Sequence, residues 1–94
     1  MNPTPLAPHH SFVYDGTRMN VFYANKGEGL PSHSHSYSHG TICVAGSCAI
    51  RKDGVEVIST KDSKPINLGA VDWHEIEALE DNTVFINIFA DGKY

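Results

Sequence analysis

Three absences limit what this sequence can be. No apolar run approaches the roughly 20 residues that a membrane-spanning helix needs, so we expect no membrane partner. No segment keeps a sustained helical period of apolar residues, which argues against a helical architecture. The 7 Lys and Arg residues are scattered along a chain of formal charge −4, which excludes the basic patch typical of nucleic-acid-binding proteins.

The length permits one domain. A chain of 94 residues buries about 60–65% of its unfolded surface, which is enough for a core. Residues 1–10 contain three prolines and no apolar run, so we predict an N-terminal extended arm or disordered tail, followed by a single domain over residues 11–94. No signal peptide is visible, and this predicts a cytoplasmic protein.

From Ser11 onward the sequence alternates apolar and polar residues between turn signals. Runs rich in β-branched and aromatic residues occur at 11–15, 19–24, 41–44, 48–52, 55–60, 66–68, 73–79 and 84–90. Asp53-Gly54 is the strongest hairpin signal in the chain. Many short strands with regular turns predict an all-β protein, either a sandwich or a barrel.

The stretch from Gly27 to Gly46 contains three of the six histidines, His33, His35 and His39, in alternation with serines. If this segment is a single strand, the three imidazoles point to one face of a sheet. Imidazole is a common metal ligand, so such a row predicts an open metal site.

Other interpretations of these histidines remain open. The Ser/His alternation also fits a solvated edge strand or loop that binds metal only adventitiously. A cloning tag is a third interpretation, although tags are usually terminal and contiguous and this stretch is neither. His9 and His10 belong to the N-terminal segment and are interpreted as a solvated pair.

The spacing Gly27-x5-His33-x-His35-x3-His39-x6-Gly46 resembles the first motif of the cupin superfamily, G-x5-H-x-H-x3-4-E-x6-G. One position differs, because His39 stands where the family usually has glutamate. Small single-domain cupins with an all-histidine metal site form a subset of the family, and the difference points to that subset. The resemblance implies a double-stranded β-helix, a jelly roll closed into a conical barrel.

The second cupin motif, G-x5-P-x-G-x2-H-x3-N, is matched clearly at His74 alone. Pro65 and Gly69 lie upstream but out of register, and Ala78 replaces the asparagine. By resemblance, His74 is the fourth metal ligand beside His33, His35 and His39. The alternative is a histidine that caps a turn at the barrel mouth.

Four neutral imidazoles would leave a bound divalent ion with a charge near +2, which favours a small anion at its open position. The set suits iron, nickel, zinc, manganese or copper, and it discourages calcium and magnesium, which prefer oxygen ligands. The resemblance implies a mononuclear metalloenzyme, either a dioxygenase or an isomerase or lyase, acting on a small anionic or enolisable metabolite. A non-catalytic metal- or ligand-binding module is the alternative, which the short chain also fits.

Two residues are candidates for catalytic roles. Tyr37 lies between two of the proposed ligands and could donate a hydrogen bond to a substrate, or it could simply line the barrel. Asp72 lies two residues before His74, so in an extended segment it shares that face and could orient a ligand or act as acid or base. Its alternative is a solvated turn aspartate. Trp73, of opposite parity to His74, is expected to pack.

If Ala45-Gly46 is a two-residue turn, Cys43 lies opposite Cys48 in a close antiparallel pair. A disulfide would then be feasible, but in a cytosolic protein we expect free thiols that face the barrel interior with Thr41 and Ile50. The resemblance also implies a homodimer. The outward positions expected to form a sheet-to-sheet contact are Ile42, Val44 and Ala49.

Overall fold

The computed structural model describes residues 3–69 and 72–91, and none of these residues is helical. Consequently, no helix in the described part of the chain could cross a membrane. The strands in chain order are β1 (Thr4–Pro5), β2 (His10–Tyr14), β3 (Thr17–Ala24), β4 (Glu28–His33), β5 (His39–Ala45), β6 (Ser47–Lys52), β7 (Val55–Thr60), β8 (Ile66–Leu68), β9 (His74–Ala78) and β10 (Thr83–Ala90).

These strands form two five-stranded sheets. Sheet A has the order β1-β4-β9-β6-β7, and sheet B has the order β2-β3-β10-β5-β8. From β4 onward the chain crosses between the sheets at every connection except the β6–β7 hairpin. This winding is a double-stranded β-helix, so the predicted fold class is confirmed.

The core lies between the two sheets and follows from the period-two pattern. In β10 the side chains alternate between buried and half-buried, so that Phe85 faces the core and Ile86 faces outward. Phe85 is fully buried and stacks on Phe22 of β3, with ring centroids 4.8 Å apart. Ile50 and Ile76 supply the facing apolar surface from sheet A.

Residues with positive φ mark the sharp turns. Asp53 and Gly54 have φ of 52° and 77°, the type I′ geometry that matches strand twist, and the predicted hairpin pairs Lys52 with Val55. Gly46 has φ of 72° and carries the chain from sheet B to sheet A. A Cβ there would lie 2.9 Å from Thr83 Cα, so the position requires glycine for both reasons.

The predicted β5–β6 hairpin around the cysteines is wrong, because β5 belongs to sheet B and β6 to sheet A. Cys43 and Cys48 nevertheless meet across the barrel interior, with their sulfur atoms 3.9 Å apart, and both are buried free thiols as expected. Burial and the neighbouring Cys43 raise the pKa of the Cys48 thiol, which keeps it protonated and unreactive.

Two further expectations concern surfaces. Val44 is exposed as predicted, but Ala49 is fully buried under its neighbours in sheet A and offers no outward contact surface.

The N-terminal segment is described from Pro3. Thr4–Pro5 pairs in parallel with Glu28 and Gly29, and Leu6 packs against the core. The division of the chain at residue 10 stays a prediction.

Candidate metal centre

The four histidines singled out in the sequence converge between the two sheets. His33 ends β4 and His74 begins β9, and these two residues are direct partners in sheet A. His39 begins β5 in sheet B, and His35 lies in the connection between β4 and β5. The motif therefore brings its imidazoles together because this connection crosses from one sheet to the other.

The expectation of one continuous histidine strand is wrong, since residues 34–38 lie outside any strand. Side-chain burial still alternates through this segment. His33, His35 and Tyr37 are half-buried, whereas the intervening serines are exposed. The extended backbone keeps the parity that the sequence suggests, but the hydrogen-bonded ladder stops at His33.

The imidazole rings lie close together. Ring centroids are 4.4 Å apart for His33 and His74, 4.9 Å for His35 and His74, and 4.9 Å for His35 and His39. Side-chain nitrogens of His33, His35 and His74 all lie within 4.8 Å of one another. The Nε2 atoms of His39 and His74 are 3.4 Å apart.

Main-chain carbonyls fix the tautomers of three of these rings. The Nδ1–H groups of His33 and His35 donate to the carbonyl oxygens of Pro31 and Tyr37, each at 2.6 Å. His74 Nδ1–H donates to the carbonyl of Asp72 at 2.9 Å. A neutral imidazole has one N–H, so these bonds leave the Nε2 lone pairs free for a ligand.

A side-chain relay fixes His39 instead. The Thr41 hydroxyl donates to Asn87 Oδ1 at 2.8 Å, so its oxygen accepts the Nδ1–H of His39 at 3.2 Å. All three residues are buried. This relay also leaves Nε2 of His39 unprotonated and directs it toward His74.

The protonation equilibria agree with this assignment. Burial, followed by the proximity of His35 and His74, lowers the pKa of His39 from 6.5 to about 4. Burial is also the largest cause that lowers the pKa of His74. Both rings are therefore neutral near pH 7, the form in which imidazole binds a metal.

The donor set fits a transition metal. The lone pairs of His39 and His74 Nε2 face each other at 3.4 Å without a proton between them. Two such atoms repel in the absence of a cation, whereas two nitrogens bound to one metal ion at about 2.1 Å lie about 3.0–3.4 Å apart for bond angles between 90° and the tetrahedral angle. The hydrogen bonds at Nδ1 are the outer contacts that normally orient ligating histidines.

The two candidates for catalytic roles lie at the edge of this cluster. Tyr37 stacks on His35 with ring centroids 4.2 Å apart and lies 5.1 Å from Phe89. Asp72 binds Lys52 through a 3.0 Å ion pair, while its main-chain carbonyl holds His74. The expectation that Trp73 packs is wrong, because this residue is 63% exposed.

His9 and His10 lie apart from the cluster, as expected for a solvated pair. Both are exposed, and His9 stacks on Tyr23 with centroids 4.2 Å apart. Sequence reasoning missed the roles of three residues: Thr41 and Asn87, which hold His39, and Lys52, which is the ladder partner of His74. Strand parity placed Thr41 on the inner face but did not show what it binds. Asn87 is a polar residue within an apolar strand, which is only a weak indication of a role in a site. No sequence feature indicates a role for Lys52.

Comparisons with known proteins concern the fold. No family model and no curated protein matches the sequence. A cupin 2 domain-containing protein from Halorhodospira halophila superposes with a TM-score of 0.79 at 17% identity, over 90% of this chain and 64% of that chain. For an RmlC-like cupin family protein with a double-stranded β-helix fold, from Methanocaldococcus jannaschii, the TM-score is 0.71 at 14% identity, over 84% and 73% of the two chains.

A third similar structure comes from Ralstonia eutropha JMP134 and is named as a candidate mannose-6-phosphate isomerase. It has a TM-score of 0.69 at 15% identity and covers 92% of this chain and 82% of its own. At such low identity the likeness shows the fold and leaves the reaction open. The strand order, the histidine cluster and these superpositions together establish that the chain has the cupin fold.

Proposed function

We propose that the chain is a mononuclear metal-dependent enzyme that acts on a small anionic or enolisable metabolite. The metal ligands would be Nε2 of His33, His35, His39 and His74. The observation that carries this proposal is the pair of unprotonated nitrogens of His39 and His74, which face each other at 3.4 Å. A cation between them removes their mutual repulsion, and side-chain nitrogens of His33 and His35 lie within 4.8 Å of one of His74.

The ion would be iron, nickel, zinc, manganese or copper, and when bound it would supply Lewis acidity or, for iron and copper, redox chemistry. The chain's own residues do the rest. Imidazole ligands add no negative charge to offset that of the ion, so the loaded site would attract an anionic or enolic oxygen. The ring of Tyr37, packed on His35, limits the space beside the ligands, while Asp72 orients Lys52.

A dioxygenase and an isomerase or lyase are both compatible with this site. The second candidate function is a non-catalytic module that binds a metal or a small ligand. The observation that favours it is the engagement of Asp72 by Lys52, which leaves Tyr37 as the remaining acid or base among the two predicted catalytic residues.

Metal content is the primary test. The protein is purified without a nickel column, and metals are measured by mass spectrometry in the wild type, in His35→Ala and in the matched control His10→Ala. We expect about one transition-metal ion per chain in the wild type and the control, and loss of the ion in His35→Ala. A wild type that contains no metal and takes none up would contradict the proposal.

Turnover then separates the two candidate functions. The metal-loaded protein is incubated with pentane-2,4-dione in an oxygen electrode, and proton exchange at its central carbon is followed by NMR in deuterated water. Oxygen uptake indicates a dioxygenase. Exchange without oxygen uptake, at a rate above that measured with His35→Ala, indicates isomerase or lyase chemistry. Binding with neither result favours the non-catalytic module.

We also propose that two chains associate through the outer face of sheet B. The large side chains on this face, beside Thr17, Gly40, Asn67 and Ala90, belong to His10, Phe12, Tyr14, Met19, Val21, Tyr23, Ile42, Val44, Val84, Ile86 and Ile88. This face contains no Asp, Glu, Lys or Arg among the described strands. A second copy of an acidic chain approaches most favourably where no like charges meet across a two-fold axis.

A further inference from the structure

A cavity of about 290 Å³ lies between the two sheets at the edge formed by β7 and β8. Its apolar lining consists of Ile50, Val55, Val57, Ile66 and Leu68, and its cationic residue is Lys52. The volume is at the lower end of the range for small-molecule sites. It therefore suits a metabolite of a few carbon atoms better than a large cofactor.

The walls of this cavity are inward-facing residues that remain exposed. Val55 and Val57 are 61% and 43% exposed, although both lie on the inner side of sheet A opposite Lys52 and Ile50. They are exposed because β7 ends sheet A and β8 ends sheet B, and the two strands do not pair. An apolar inner surface left open in this way is what a ligand with an apolar body would cover.

The cavity borders the histidine cluster on both sheets. Lys52 is the direct ladder partner of His74, and Leu68 is the direct partner of His39. Opposite residues in an antiparallel pair project from the same face with Cβ atoms roughly 5 Å apart. A molecule in the cavity would therefore extend one end toward Nε2 of the histidines.

Lys52 is the cation at that end. Its ammonium donates to Asp72 Oδ2 at 3.0 Å, and its side chain is one-third exposed. An ammonium has three N–H donors, so the bond to Asp72 leaves others for a ligand and at the same time holds the group in place. The remaining polar residues of the lining are Asp53, in the exposed hairpin turn, and Asn67.

We propose that this cavity is the substrate pocket and that Lys52 selects ligands with an anionic head and a short apolar body, such as branched carboxylates. The apolar walls would hold the body, and the ammonium would bind the carboxylate beside the histidines. The identification of the ligand as a substrate rests on the function proposed above. The binding itself does not, because it can be measured on metal-free protein.

The test uses 4-methylpentanoate as the probe and its neutral amide, 4-methylpentanamide, as the matched ligand. Dissociation constants are measured by methyl NMR titration on metal-free protein, and the shifts of Val55, Val57 and Leu68 locate the binding site. The variants are Lys52→Met, Lys52→Arg and the control Lys26→Met, which alters an exposed lysine in a turn outside the cavity lining.

We expect Lys52→Met to weaken binding of the carboxylate by about tenfold, the typical value of a hydrogen bond to a charged group, and to leave binding of the amide unchanged. Lys52→Arg should retain most of the affinity, and Lys26→Met should retain all of it. The same variants are loaded with zinc, and we expect Lys52→Met to bind as much zinc as the wild type.

The outcomes separate the two proposals. Equal carboxylate affinity in Lys52→Met and wild type, or methyl shifts outside the cavity, would overturn the pocket inference while leaving metal binding untouched. If the wild-type protein binds no zinc while its carboxylate binding still depends on Lys52, the proposed metalloenzyme is overturned and the pocket inference stands. If Lys52→Met does not fold, Lys52→Arg decides the question. This variant should bind the carboxylate more tightly than the amide, and equal affinities for the two ligands would overturn the pocket inference.

Discussion

Sheets A and B both supply histidines to the site, but they hold them by different means. The two histidines of sheet A, His33 and His74, donate to main-chain carbonyls. In sheet B, His39 depends on the side chains of Thr41 and Asn87. No side-chain substitution removes a main-chain carbonyl, so mutation can detach the outer support of the site only on the sheet B side.

The outer faces of the two sheets differ more strongly. On sheet A, Arg51 forms ion pairs of 2.7–2.8 Å with Glu56, Glu75 and Glu77, which raise the pKa of its guanidinium. On sheet B, the corresponding positions carry no Asp, Glu, Lys or Arg, and Tyr23 and Val44 are 50% and 43% exposed. The outer face of sheet A is stabilised by its own ion pairs and by contact with water, whereas the outer face of sheet B would gain stability from a partner.

The largest expected effect is on association. Ile86 lies at the centre of the outer face of sheet B, between Val21 and Ile42. Replacing it with lysine places a charge in the proposed interface, and we expect Ile86→Lys to weaken the dimer at least about 100-fold. Multi-angle light scattering should give the mass of a dimer for the wild type and of a monomer for the variant.

The matched control is Ile58→Lys, which introduces the same charge at an exposed position on the outer side of sheet A. This variant should remain a dimer. A monomeric wild type, or dissociation caused equally by both substitutions, would contradict the assignment of the interface to sheet B.

A smaller effect is expected at the candidate metal site. Thr41→Val removes the hydroxyl that holds Nδ1 of His39, and loss of such an outer contact typically weakens metal binding by about 10-fold or more. Thr41→Ser keeps the hydroxyl and should restore the affinity, measured for zinc by competition with a chelator. Unchanged zinc affinity in Thr41→Val would mean that His39 does not depend on the sheet B relay.

The ion-pair cluster of sheet A should contribute less. Arg51→Met leaves three carboxylates on adjacent strands without their cation, and we expect a loss of roughly 1 kcal/mol in the free energy of unfolding because the group is partly exposed. Urea titration at low and high salt provides the measurement. The loss should shrink at high salt, since screening weakens both the ion pairs and the repulsion between the glutamates.

The smallest effect concerns buried hydroxyl groups. Among the described residues, Ser59 Oγ on the inner side of sheet A is buried without a hydrogen-bond partner. By contrast, Thr83 Oγ1 in sheet B donates to the carbonyl of Glu80 at 2.8 Å. We expect Ser59→Ala to stabilise the protein by about 0.5–1 kcal/mol, and Thr83→Val to destabilise it by about 1 kcal/mol or more. Thermal unfolding of both variants provides the measurement. If Ser59→Ala unfolds at a lower temperature than Thr83→Val, the hydrogen bonding assigned to these two hydroxyl groups is wrong.

Much of the fold could be predicted from local patterns. The strands at 55–60 and 66–68 and the Asp53-Gly54 turn depend on alternation and turn chemistry, which act over a few residues. The β5–β6 hairpin was wrong because the same Ala45-Gly46 turn serves equally well to cross between sheets. Sequence at the turn does not reveal whether Ser47 pairs with β5 or with β7.

The candidate site was also predictable from the sequence only in part. The spacing of the first motif predicted that His33, His35 and His39 share a site, and the resemblance to the cupin family added His74. The tertiary structure alone decided which groups support them. Lys52 lies beside His74 because β6 pairs with β9, and Asn87 reaches Thr41 because β10 pairs with β5. Such contacts join residues distant in the chain, and no local pattern encodes them.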